Sequence, residues 1–206
     1  MNLHFNEKEQ DFLKEIVNTG SIKAADAFAT IAKEKVLVHV PDLKIIEWGN
    51  FSQQFSDFEK HTIVSETTFS GDLEGAAFVM YTEKEAEELA KVCLVNKSFK
   101  KFDYETINSS LIKEVSNILS VSALSKIGDM LDLKVMCSSQ RLNNNYIVNL
   151  LSNLNNRYPL FQPILLTVHT QFIYSYKTMK FPFVIIFDLN SLYNILSKIR
   201  SGNIKF

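Results

Sequence analysis

The sequence predicts a mixed α/β chain made of two like units sharing one hydrophobic core. Three observations carry this reading. The order helix, strand, β-hairpin, helix can be followed twice along the 206 residues. A Glu-x-x-Asn pair at Glu15 and Asn18 returns at Glu114 and Asn117, with 114 − 15 and 117 − 18 both equal to 99. The composition, 46% hydrophobic and 22% charged, is that of an ordinary globular protein. An internal repeat of this length, present in two copies, predicts one domain over 1–206 with units at about 6–95 and 102–200, related by an approximate two-fold axis. The period is too long and the copies too few for a solenoid.

The elements follow in order. Glu7 to Lys33 reads as helix: Phe12, Leu13, Ile16 and Val17, then Ile22, Ala25, Phe28, Ala29 and Ala32, recur near helical period. Thr19-Gly20-Ser21 interrupts it, as a bend or as a stop and restart with Ser21 as N-cap. Val36–Val40 is a short β-branched strand expected to end at Pro41. A less regular stretch runs through Trp48 and Phe58. His61–Ser70 and Ala76–Tyr81 flank Gly71-Asp72-Leu73-Glu74-Gly75 and predict a hairpin. Thr82–Val95 is a helix whose early glutamates suit its dipole. Asn96–Lys101 reads as the linker between the units.

In the second unit, Glu105–Leu131 has helical period and Leu133–Cys137 is a strand. Asn143–Asn156 reads as a short helix or a loop. Ile164–Tyr174 and Phe181–Phe187 are paired strands around Lys177-Thr178-Met179, and Leu189–Ile199 is a closing helix.

Composition narrows the function. With Lys plus Arg at 22 and Asp plus Glu at 23, the net charge of −1 argues against a dedicated nucleic-acid binder, which needs a basic surplus to displace counterions. No apolar run approaches the roughly 20 residues of a membrane span. The first residues lack the basic and apolar regions of a secretory signal. Cys93 and Cys137 read as reduced thiols, and the four histidines are scattered without zinc-ligand spacing. Among six glycines there is no phosphate-cradling motif.

The repeated pair is the candidate site. Residues i and i+3 share a helix face, so Glu15 projects with Asn18 and Glu114 with Asn117. Asparagine is a poor helix-interior residue because its amide competes for backbone groups. Asn18-Thr19-Gly20-Ser21 could simply end a helix, with Gly20 in a left-handed cap. That explanation weakens at Asn117-Ile118-Leu119-Ser120, which lacks a glycine and continues the apolar period. Each glutamate alone is most simply a solvated carboxylate. An amide is no general base and, without His or Cys, makes no covalent nucleophile. It can orient a water by donating and accepting hydrogen bonds, which suffices for an already activated bond such as an aspartyl phosphate.

The pattern (Asp/Ser)-x-x-x-Glu-x-x-Asn, followed after 22 residues by Pro, resembles the signature of the CheC, CheX and FliY phosphatases of bacterial chemotaxis. Asp11, Glu15, Asn18 and Pro41 fit it throughout. Ser110, Glu114 and Asn117 fit the second copy, where Gln140 stands in place of the proline and changes the backbone constraint behind that site. The turn Phe69–Gly75 is similar to the family's first hairpin, and Lys23 stands in a stretch usually rich in Gly and Ala. Lys23 reads as solvent-facing.

The resemblance implies a duplicated α/β fold, with a shared sheet and two long helices carrying the sites. It implies hydrolysis of phospho-aspartate on the response regulator CheY. Asn18 and Asn117 would align the water, and Glu15 and Glu114 would pair with a lysine of the regulator. Asp11 and Ser110 receive no chemistry. No cofactor is expected on this chain, since Mg²⁺ would be held by the phosphorylated partner. A cytoplasmic location is implied, with CheD as a further partner. The alternative is a non-catalytic interaction protein of the same fold, either a flagellar switch component or a regulator of the receptor deamidase CheD.

Overall fold

A computed structural model describes residues 5–32, 37–47, 63–93, 101–143, 164–174 and 177–202. The elements are α1 (Glu7–Ala32), β1 (Leu37–Glu47), β2 (Ile63–Gly71), β3 (Gly75–Tyr81), α2 (Glu83–Cys93), α3 (Lys101–Leu131), β4 (Val135–Cys137), β5 (Arg141–Asn143), β6 (Ile164–Tyr174), β7 (Lys177–Phe187) and α4 (Leu189–Ser201). The expected Asn143–Asn156 segment beyond Asn143, residues 96–100 of the expected Asn96–Lys101 linker and the stretch through Trp48 and Phe58 lie outside the described residues, while Lys101, read as the end of that linker, instead opens α3.

Short-range chemistry sets the helix starts. Asn6 caps α1: its Oδ1 accepts from the Glu9 N–H at 3.0 Å, and Glu9 Oε2 accepts from the Asn6 N–H at 2.8 Å. This reciprocal box satisfies two donors that a helix N-terminus otherwise leaves open. Thr82 and Glu85 repeat it at α2, and Asp188 caps α4 by accepting from the Ser191 N–H at 2.7 Å. Glu9 is buried at 2% exposure and also takes Arg200 Nε of α4 at 2.8 Å, so one carboxylate serves the cap and ties the closing helix to α1. Glu9→Ala is expected to cost about 1–3 kcal/mol in urea unfolding, from the lost cap and charged hydrogen bond.

The strands form one seven-stranded sheet in the order β1-β6-β7-β3-β2-β4, with β5 also pairing β2. Every pairing is antiparallel. The hairpin predicted around residues 71–75 is present, in register from Ile63↔Tyr81 to Phe69↔Gly75. The order reads the same when the halves are exchanged. Each hairpin, β2–β3 and β6–β7, lies inside the sheet with the other half's strand on its outer side.

Three expectations change. Helix α1 runs through Thr19-Gly20-Ser21 without a break. Gly20 is buried, and a Cβ there would lie 2.7 Å from the Ala123 Cα. The glycine marks where α1 and α3 come close, not a bend. Strand β1 continues past Pro41 to Glu47. It stands at one end of the strand order, and its register to β6 shifts between His39 and Asp42. An end strand with such an irregularity tolerates a residue that has no N–H to donate. Strand β7 begins at Lys177, so Lys177-Thr178-Met179 belongs to the strand and not to the turn.

The core lies between the helices and the sheet. Leu13, Ile16 and Phe28 of α1 meet Ile112, Val115, Leu119, Leu124 and Ile127 of α3 over Ala77, Val79, Tyr81, Phe183, Ile185 and Phe187. Strand β3 is buried along its whole length. On α3 the inward face also carries Ser120, whose hydroxyl is buried without a hydrogen-bond partner among the described residues. Ser120→Ala removes that unmet polar group, and a Tm higher by a few degrees is expected in thermal unfolding.

Candidate functional site

The two Glu–Asn pairs ride on the two longest helices described, α1 of 26 residues and α3 of 31. With Leu13, Ile16 and Phe28 turned inward, Glu15, Asn18, Ile22 and Lys23 are exposed on α1. Asn18 is therefore a mid-helix residue and not part of a helix end. Its side chain has no hydrogen-bond partner among the described residues, while the neighbouring Thr19 hydroxyl donates to the Glu15 main-chain oxygen at 2.8 Å. Asp11, which opens the motif, is exposed and lies 3.7 Å from Lys14 across one turn. Ile22, one turn beyond Asn18, is 56% exposed and extends the same surface with an apolar side chain.

Helix α3 places its pair differently. Ile112, Val115 and Leu119 hold it on the core, and the buried Ser116 hydroxyl meets the Tyr81 hydroxyl of β3 at 2.9 Å. That contact fixes the rotation of the helix next to the motif. Glu114 is exposed and Ser110 is exposed, whereas Asn117 is half-buried. Gln140, just before β5, reaches Asn117 Oδ1 with its Nε2 at 3.4 Å. The same Nε2 donates to the Thr67 hydroxyl, and Gln140 Oε1 accepts from the Ser65 hydroxyl at 2.8 Å. Ser65 and Thr67 alternate along β2, so both turn to one face of the sheet.

The residue standing in place of the motif proline thus acts through its side chain. Nothing in the spacing of residues 65, 67, 117 and 140 announces this cluster. The only sequence signal is that Gln140 departs from the repeated pattern.

Among the described residues no group of three His, Cys, Asp or Glu could hold a metal ion, and no helix is long and apolar enough to cross a membrane. Cys137 on β4 is a free, half-buried thiol whose pKa burial pushes up, which makes it a poor nucleophile near neutral pH. Chemically, the helix surfaces offer carboxylates and carboxamides. These can hold and orient a polar group brought by a partner, but they supply no covalent nucleophile with an activating base.

No family model matches the chain. It is 26% identical over 131 residues to the CheY-P phosphatase CheC of Bacillus subtilis (strain 168), a match spanning 63% of each chain. Among solved structures, Thermotoga maritima FliY superposes with a TM-score of 0.72 at 17% identity, covering 97% of this chain and 99% of that one. FliM in a complex with SpeE from H. pylori gives 0.69 at 12% identity, covering 98% and 100%. A Borrelia burgdorferi CheX–CheY–BeF3–Mg²⁺ complex gives 0.52 at 12% identity, covering 82% and 96%. The chain is thus CheC-like in sequence over those 131 residues, and FliY-, FliM- and CheX-like in fold.

Proposed function

We propose that this chain is a phosphatase that hydrolyses the aspartyl phosphate of the chemotaxis response regulator CheY, or of a regulator like it. One observation carries the reading. Two Glu-x-x-Asn pairs, spaced as in the CheC-type signature, stand on the two long helices with the glutamates and Asn18 exposed to a partner. The relative named a CheY-P phosphatase supports the same direction. The strand order that reads the same from either half supports an internal duplication, with one site per unit.

An acyl phosphate is an activated mixed anhydride, so a water held in line with the phosphorus needs positioning more than activation. The carboxamide of Asn18 or Asn117 would accept a hydrogen bond from that water and donate one toward the phosphoryl group. Attack forms the new P–O bond as the aspartyl C–O–P linkage releases phosphorus. The regulator regains its carboxylate, and the water's proton leaves with inorganic phosphate. Glu15 and Glu114 would pair with a lysine on the regulator, and the divalent cation is the regulator's own. Such a partner would be met in the cytoplasm.

The test is the lifetime of phospho-CheY, in Mg²⁺, with and without the purified chain. Faster release of phosphate is expected, and an unchanged lifetime sinks the enzyme reading. The second reading is a non-catalytic interaction protein, a flagellar switch component or a regulator of CheD. It draws on the FliM likeness over nearly the whole chain. It predicts regulator or CheD binding at an unaltered lifetime.

A further inference from the structure

We propose that Gln140 is a positioning residue for the second site: it clamps the carboxamide of Asn117 by one hydrogen-bonding direction, so that the amide's rotation is restricted while a donor and an acceptor direction stay open outward. The inference rests on the phosphatase reading for its kinetic consequence, but the clamp itself rests on geometry alone. Gln140 is held at both ends of its own amide, by the Ser65 hydroxyl at 2.8 Å and by the Thr67 hydroxyl. Both of those residues are buried, at 1% and 0% exposure, on a strand in the interior of the sheet. The remaining N–H direction of Gln140 meets Asn117 Oδ1 at 3.4 Å.

The conclusion survives exchanging O and N in the two amides. Hydroxyls donate or accept equally well, so Ser65 and Thr67 fit either orientation of Gln140, and Gln140 then meets the opposite end of Asn117. In both cases one end of Asn117 is occupied and its rotation restricted.

Among the described residues the first site shows no counterpart to this clamp. Pro41 stands at the matching position and has neither a side-chain amide nor a backbone N–H. Asn18 is exposed and without a partner among the described residues. Among the described residues the two sites therefore differ: Asn18 is exposed with no partner to hold it, whereas Asn117 is preset by Gln140. Presetting matters for a group whose whole task is to hold a water in line, because a misplaced amide lowers the rate without weakening docking.

The test uses Gln140→Met, which keeps the length and apolar stem and removes the amide, in the full chain. The side-chain NH₂ of Asn117 is followed by ¹⁵N relaxation. Restricted motion in the parent that is released in Gln140→Met, with Asn18 mobile in both, is expected. Equal order in parent and variant overturns the clamp. In the Asn18→Ala background, where only the second site acts on phospho-CheY, Gln140→Met is expected to lower kcat about fivefold with KM unchanged, the effect of one lost neutral hydrogen bond. An unchanged or higher kcat overturns the positioning role. A parent that leaves the phosphate lifetime unaltered refutes the phosphatase reading instead, and the relaxation measurement still decides the clamp.

Discussion

In a chain carrying Asn18→Ala and Asn117→Ala together, acceleration of phospho-CheY hydrolysis is expected to fall by about 100-fold or more, the cost of losing a group that positions the attacking water. Folding should be unaffected. Asn18 is exposed, Asn117 is only half-buried, and alanine is the better helix former at both positions. Far-UV circular dichroism and the urea midpoint should therefore match the parent while the activity disappears.

The single variants divide the rate. Asn18→Ala leaves the preset amide on α3, and Asn117→Ala leaves the adaptable one on α1. Each should retain part of the acceleration, and each should leave regulator binding nearly intact, since the glutamates remain. A double variant as fast as the parent removes both carboxamides from the mechanism and, with them, the enzyme reading of this fold.

Gly20→Leu is expected to lower stability by about 1–3 kcal/mol or more, the cost of forcing side-chain bulk into a filled contact. Thermal unfolding should show this as a Tm lower by at least several degrees. Even the first added carbon would stand 2.7 Å from the Ala123 Cα, a backbone atom that cannot rotate away. The helices must part, and the core that Leu13 and Ile16 share with Val115 and Leu119 loosens with them. Intrinsic propensity points the other way, since replacing glycine within a helix gains up to about 1 kcal/mol. The measurement therefore weighs local preference against packing. A Gly20→Leu chain as stable as the parent would show that α1 and α3 do not approach so closely. Because Asn18 lies two residues away, activity should fall with the packing even where the helix itself persists.

The two Glu–Asn pairs were readable without coordinates because helical periodicity alone brings residues three apart onto one face. The hairpin at residues 71–75 was readable because its glycines and flanking β-formers act over a few residues. Gly20 misled for the opposite reason. A lone glycine in a helix means a bend, a cap or a close crossing, and which one depends on what stands opposite, here Ala123 from the other half of the chain. Pro41 misled in the same way. It ends a strand only if its missing N–H is needed, and at an end strand with an irregular register it is not.

By itself, then, the amino-acid order determined what is local: the helices and hairpins, and the spacing that puts carboxylate beside carboxamide on each long helix. Tertiary structure alone decided which of the two asparagines meets a neighbouring amide and which has no partner among the described residues. That difference is made by Gln140, which meets Asn117 and is itself held by Ser65 and Thr67 of β2, an arrangement that exists only once β2 lies beside α3. Hydrogen bonds between residues tens of positions apart follow no sequence period. They exist because packing the apolar faces of sheet and helices leaves their polar neighbours at bonding distance.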